Sequence, residues 1–411
     1  MNKITFIFLF SVVFSFFAPT DLSARDFGLL ANQSVGLGGI GFDDTDGITY
    51  EVALVPRFSA LLGRYGELFL SASAQAVLED DEWSFTPELL RTEFSHLAGA
   101  VEFRVGRMLF ADPLNLVASG LFDGLHFARN TAGGTFGAGL WYTGFLYKNR
   151  ANITMTEDDA VALEAAVDWD DFMNTYFASR RVMAALYWEH PSVAELFQLN
   201  VTLIGQADIN ERDRQYDSLY LIARGVLPLQ RVIFELGGAV EAGRMVVGAE
   251  TDFRVAFAGD VGLHWLVPAQ IHSMVSLTGR FTSGQAESGV VSAFTPITTL
   301  PHGDILEAGI SGLSVLTLQY TARLHRTFSA GVSAAHFVRS DRGTFEAYPL
   351  AAQSGDNFFL GTEFFGRLLW SPVSDMSFNL GGGVFLPSLG NAVPDADPRW
   401  RVELAVTLAL F

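Results

Sequence analysis

Arg91 and Glu93 stand two residues apart, Glu102 and Arg104 repeat that spacing, and Asp252 and Arg254 repeat it again. Residues two apart in an extended chain share a face. Each pair therefore sets a cation beside an anion on one wall. The chemistry open to such a wall is electrostatic: opposed rows of Arg and Glu set the local field and the width of a water-filled passage. Alternation places Glu51, Arg57, Arg224, Glu235, Glu241, Asp260, Arg280, Gln319, Arg323, Glu363 and Arg367 on the same kind of face. The pore-lining candidates are Arg91, Glu93, Glu102, Arg104, Arg254, Arg280, Arg323 and Arg367, and the first six are expected to form the narrowest ring. A plainer reading has each charge pair with a neighbouring strand and solvate the wall. Either way the set implies a polar interior. Its signs are nearly balanced, so strong anion selectivity is not implied, while acidic loops at the mouth would favour cations weakly.

Covalent and metal chemistry find little support. The chain has no Cys, which excludes disulfides and thiolate metal sites. Its eight His are scattered without a His-x-x-x-His pair, and there is no Gly-x-Ser-x-Gly elbow or phosphate loop. His325 or His336 beside a Ser is the remaining enzymatic possibility, and no catalysis is expected. Asp43-Asp44-Thr45-Asp46-Gly47 is too short for a full calcium loop and reads as solvated charge. No metal and no cofactor are expected. With 26 Lys+Arg against 45 Asp+Glu, nucleic acid is excluded as a partner.

The elements that must position this wall are strands. Phe253, Val255, Phe257, Val261, Leu263 and Trp265 alternate with Asp252, Arg254, Ala256, Ala258, Asp260, Gly262 and His264. Runs of that kind recur along the chain, broken by turn chemistry. Hydrophobic residues make up 49% of the chain, yet no uninterrupted apolar run approaches the roughly 20 residues of a spanning helix. In hydrocarbon only helices and closed barrels satisfy every backbone group. The fold class is therefore all-β, a transmembrane antiparallel barrel of about eighteen strands, with the polar face inward and the apolar face toward outer-membrane lipid.

The strands are expected near 27–38, 48–60, 67–78, 88–95, 101–107, 121–130, 135–146, 180–189, 196–208, 216–226, 231–243, 251–266, 271–282, 314–324, 328–339, 358–370, 376–386 and 399–411. Strands one, four and five have the weakest pattern, and losing a pair would leave sixteen. Short turns alternate with longer, more acidic connections, as when one rim faces the periplasm and the other faces out. Two long connections, 147–179 and 283–313, either fold inward as a constriction or cap the outer mouth. Within the first, Val161 to Val167 is compatible with strand or helix.

The ends carry their own signals. Lys3 precedes an apolar stretch from Ile4 to Ala18, and Leu22-Ser23-Ala24 is a small-residue site, so residues 1–24 read as a secretory signal cleaved before Arg25. Residues 25–411 are then the barrel, with no N-terminal plug. The chain ends on Phe411, as outer-membrane strands read by the barrel-assembly machinery commonly do. Val402, Leu404, Val406, Leu408 and Leu410 form the apolar face of that strand, with Phe411 one step off it.

Phe103-Arg-Val-Gly-Arg107, Ala111-Asp112-Pro113 and Gly120-Leu-Phe-Asp-Gly124-Leu-His-Phe127 together resemble the strand–loop–strand segment of alginate-export-like and other porin-like outer-membrane barrels. The resemblance implies a porin-like conduit for small solutes or saccharides. In this segment Gly106 lets the strand bend, and Arg107 beside Asp112 or Asp123 is placed to pin the loop by a charge-assisted bond. The function expected is passive diffusion of small hydrophilic solutes. A non-conducting surface barrel, adhesin or structural, is the alternative. A transporter of hydrophobic substrates is another, raised by 36 Phe against 10 Tyr, although lipid-facing wall accounts for those rings.

Overall fold

A computed structural model describes residues 24–42, 47–79, 82–268, 271–286, 291–298, 300–341 and 357–410. The secretory signal, most of the acidic run at 43–47 and Phe411 fall outside or largely outside these residues. Eighteen strands form one sheet: β1 (Ala24–Ile40), β2 (Ile48–Leu62), β3 (Gly66–Glu79), β4 (Glu82–Ala98), β5 (Val101–Ala111), β6 (Ser119–Thr131), β7 (Gly134–Tyr142), β8 (Arg181–Val193), β9 (Phe197–Asp208), β10 (Arg214–Leu229), β11 (Val232–Val247), β12 (Glu250–Val267), β13 (His272–Thr282), β14 (Leu313–His325), β15 (Phe328–Arg339), β16 (Phe359–Val373), β17 (Met376–Leu386) and β18 (Arg399–Leu410). Each pairs antiparallel with its sequence neighbours, and β1 pairs with β18 from Leu29↔Leu410 to Ile40↔Arg399, closing the barrel. Closure removes the unpaired edges that an open sheet would expose to lipid.

The count of eighteen follows the alternation, including the three weakly patterned strands. β4 and β5 run longer than their patterns, to 82–98 and 101–111, because backbone pairing with neighbours continues where side-chain alternation fades. β7 stops sooner than expected, at Tyr142 rather than 146. Thr143 Oγ1 there donates to Ser179 O (2.5 Å), and Leu146 N donates to Thr143 O (2.9 Å), which turns the chain out of the sheet.

Side chains divide by parity. On β12, Phe253, Val255, Phe257, Val261, Leu263 and Trp265 are exposed on the outer surface, while Ala256 and Ala258 are buried inside. On β11, Leu236 is 69% exposed and Glu241 only 1%. An outer Leu is at home in hydrocarbon, whereas a charge at mid-depth there would cost about 2–4 kcal/mol. Large aromatic rings mark both rims of the apolar band. Trp83 meets Tyr50 edge-on at 6.1 Å at one end, and Trp370 stacks on Phe378 at 5.0 Å at the other. Rings of this kind sit at membrane–water interfaces.

At Gly106 the backbone takes φ +114°, and a Cβ would lie 2.0 Å from Thr92 O. Only glycine fits there. Among the described residues, three connections leave the rim and enter the barrel: 112–118, 143–180 and the described parts of 283–312. The segment Val161–Glu164 is helical, within the helix Glu157–Glu164 opened by a capping box between Thr156 and Asp159.

Candidate functional site: a lumen narrowed by three inward loops

Two of the three loops, 112–118 and 283–312, are held chiefly by buried carboxylates that accept backbone N–H groups. Between β5 and β6, Asp112 receives Leu114 N on Oδ1 (2.8 Å) and Leu116, Val117 and Ala118 N on Oδ2 (3.0, 2.8 and 2.9 Å). Burial raises its carboxyl pKa while these four donors pull it down. The loop so formed points across the lumen, where Arg280 of β13 donates to Leu114 O (3.0 Å). On β11, Glu241 accepts Thr295 N (2.8 Å) and the Tyr216 hydroxyl (2.6 Å), and Tyr220 donates to Thr295 O (2.5 Å). On β16, Glu363 accepts the N–H groups of Asp304 (2.7 Å), Ile305 (2.8 Å) and Leu306 (3.0 Å). The loop 283–312 is thereby fastened at successive points around the inner wall. It meets the 112–118 loop where Ile297 N donates to Val117 O (2.7 Å) and Ser119 N to Thr298 Oγ1 (2.9 Å).

The 143–180 loop uses charge more directly. Arg181, at the start of β8, is fully buried and bridges Asp159 (2.6 Å) and Asp208 (3.0 Å), and Arg212 adds a contact to Asp159 (3.0 Å). Arg150 reaches Glu88 on β4 (3.0 Å), and Tyr176 donates to Pro87 O (2.5 Å). Lys148 caps the end of the helix by donating to Ala162 O (2.9 Å) and to Ala165 O, and burial lowers its pKa.

Between these loops and the wall lie three groups of charged side chains. On β4–β6, Arg91 pairs with Glu93 (2.7 Å), and Arg104 lies 3.9 Å from Glu93 and 3.4 Å from Glu102. Arg104 sits opposite His126 in register and donates to its Nδ1 (3.0 Å), and His126 Nε2 lies 3.0 Å from the Tyr187 hydroxyl. On β10–β13, Arg224 pairs with Glu235 (2.6 Å) and Arg280 with Asp260 (2.8 Å). Arg280 also donates to His302 Nε2 (3.0 Å), and His302 Nδ1 faces Leu300 O (3.0 Å), which suits the neutral imidazole. Burial, and next the Arg280 charge, lower the His302 pKa to about 4. On β16–β18, Arg367 pairs with Asp304 (2.9 Å), and Arg401 with Glu307 (2.6 Å) and Glu403 (3.0 Å).

Of the eight pore-lining candidates, Arg91, Glu93, Glu102 and Arg104 therefore share one cluster and Arg280 stands on the facing wall. Arg254 is set apart from both, paired with Asp252 (3.0 Å) near the outer end of β12. Arg323 lies by the opposite rim, donating to Arg326 O in the turn (2.9 Å). Arg367 faces the loop acid Asp304. Among the loop-pinning candidates, Arg107 engages Asp123 in two parallel bonds (2.9 and 2.8 Å) and also donates to Leu89 O and Phe145 O. It does not reach Asp112, whose carboxylate is taken up by its own loop. His336 and His325 face Thr362 and Thr327 rather than a serine.

Sequence reading missed the anchoring role of Asp159, Arg181, Asp208 and Glu88, and the neighbours His126, Tyr187, His302, Asp304 and Glu307. Glu241 and Glu363 were assigned to the wall by parity, but nothing in parity says that loop backbone comes to meet them.

Open space remains. A cavity of about 600 Å³ on the β12–β16 side is lined by His272, Gln319, Thr321, Arg323, Asp304 and Arg367 among others. It shares Asp304, Phe365 and Arg367 with a second cavity of about 320 Å³ that extends to Arg401 and Glu403. A third, of about 450 Å³, holds Arg224, Glu235, Asp260, Arg280 and His302.

No protein-family model matches this sequence, and no curated protein sequence matches it. Solved structures do resemble the fold. OccK1 (OpdK) of Pseudomonas aeruginosa superposes with a TM-score of 0.62 at 12% identity, covering 95% of this chain and 99% of that one. OccK2 (OpdF) of the same organism gives 0.61 at 11% identity, with 95% and 98% covered. OccK2 solved in complex with glucuronate gives 0.58 at 11% identity, with 95% and 97% covered.

Proposed function

We propose that this protein is an outer-membrane channel through which small hydrophilic solutes diffuse passively. The observation that carries the reading is a lumen that keeps charged walls and open cavities even where three loops cross it. A barrel built only as a scaffold has no need of an inner surface lined by Arg, Glu, Asp and His around open volume. The barrel fold shared with OccK1 and OccK2 supports the same reading, and the glucuronate held by OccK2 makes a monosaccharide-sized solute a reasonable probe here. Residues 1–24 act as the secretion signal. Outer-membrane lipid surrounds the apolar band, and the barrel-assembly machinery recognises the last strand with Phe411. The closer likeness to alginate-export-like barrels rests on the segment Phe103–Phe127 alone. The reading assigns no catalysis.

A second reading has a specific observation in its favour. The 112–118 and 283–312 loops bond to one another and all three loops bond to the wall, as a plug would, and a non-conducting surface barrel is what a sealed lumen would mean. Planar-bilayer recording of the refolded chain from Arg25 onward separates the two. Stable conductance steps, reduced or altered in ion preference by Arg104→Ala and Arg280→Ala, are the expected result. A folded, heat-modifiable barrel that carries no current would replace the channel with the plugged barrel.

A further inference from the structure

The lumen arginines do not stand as a free cationic row. Arg91, Arg104, Arg224, Arg280, Arg367 and Arg401 each face a carboxylate within 4 Å. Four of these partners come from the strands themselves. For Arg367 the facing acid Asp304, and for Arg401 a second acid, Glu307, beside its own strand's Glu403 (3.0 Å), are supplied by the 283–312 loop, which brings them to strands β16 and β18. We propose that Asp304 and Glu307 set the solute preference of the channel, by masking two wall arginines and so favouring neutral polyols and zwitterions over carboxylates. This inference rests on the channel reading above.

The placement of the two acids is built, not incidental. His302 and Ala308 exchange backbone hydrogen bonds (2.8 and 2.9 Å), which closes 302–308 into a small hairpin. Glu363 grips the N–H groups of 304, 305 and 306 at its tip, and Glu307 takes a left-handed backbone at φ +48°. Backbone geometry alone thus fixes where both side chains emerge. Neither ion pair is needed to hold the hairpin. Both lie in lumen water, with side chains 40–55% exposed, a setting in which ion pairs add little stability. Their effect is on the field. A solute in the cavity lined by Asp304, Glu307, Arg367, Arg401 and Glu403 touches the walls that carry these charges, where screening over a Debye length of about 8 Å at physiological salt is weak. It meets paired opposite charges, which orient a dipole or a polyol and attract a lone carboxylate weakly.

The test uses the refolded chain from Arg25 onward and its D304N/E307Q double variant, both isosteric changes outside the Glu363 grip. Reversal potential is read in a tenfold KCl gradient, and liposome swelling is compared for glucose and glucuronate. The parent is expected to sit near zero potential and to pass glucose at least as fast as glucuronate. The variant should turn anion-preferring, with a several-fold higher chloride-to-potassium permeability ratio and faster glucuronate entry. R367Q/R401Q should shift the potential the other way and serves as the charge control. A parent that is already strongly anion-selective, or a folded, conducting D304N/E307Q with an unchanged potential, overturns the inference and leaves the channel intact. A folded parent without current overturns both.

Discussion

Removing the Glu363 carboxylate should undock one arm of the 283–312 loop and leave the barrel standing. Glu363 is 2% exposed and accepts three backbone N–H bonds, all from residues 304–306. Hydrogen bonds to a charged acceptor contribute about 1.5–3 kcal/mol each. Three would sum to about 4.5–9 kcal/mol, but undocking lets water reach the three donors, and the variant no longer buries a charge. A net loss of about 3 kcal/mol is a conservative figure, and at 1.4 kcal/mol per decade it multiplies the undocked population by about 100-fold. An excursion present for about a thousandth of the time would then occupy about a tenth. The strand itself should persist, because Ala335 and Phe385 pair with position 363 through backbone only. Single-channel recording of E363A should therefore reveal frequent steps to a higher conductance, with E363Q intermediate because its amide oxygen still accepts. If folded E363A shows the parent's conductance and noise, the carboxylate is not what closes this arm.

Two further outcomes follow from other anchors. Arg181→Ala leaves Asp159 and Asp208 buried without their shared cation, a cost of about 3–5 kcal/mol. It should free the 143–180 loop to trypsin at Lys148 and Arg150 while the barrel stays heat-modifiable, and persistent protection of both sites would count against the assigned role. Acid should loosen the hairpin at His302. Its pKa in the docked loop, about 4, lies below the 6.5 of a free imidazole. The undocked loop thus binds more protons between those values, so docking is fully stable above pH 6.5 and weakens as pH falls toward 4, by up to about 3 kcal/mol. Current noise should rise over that window in the parent and stay flat in His302→Gln.

Alternation made the wall legible because parity is enforced twice, by backbone pairing and by lipid on one side. β12 could be read residue by residue for that reason. The inward loops were not legible, because their docking depends on backbone N–H groups that every sequence possesses. Asp112 looked like a partner for Arg107 since both are charged and close in the chain, yet its carboxylate turned to four amides of its own loop. Arg254 and Arg323 share the parity of Arg280 but lie toward opposite rims, and parity carries no information about depth. Asp304 and Glu307 sat in a stretch without alternation, where nothing local says which wall a side chain will meet.

A grip on main-chain amides has a consequence for how such a protein can change. Glu241 and Glu363 hold Thr295 and residues 304–306 without reading the identity of the side chains there. Substitutions along this arm can therefore exchange acid for amide, base or hydroxyl while the arm stays docked at the same height. The mouthpiece is interchangeable and its clamp is not. A library confined to positions 304 and 307 could retune what passes without rebuilding the barrel, and the same library placed at 241 and 363 would be expected to yield mostly leaky variants.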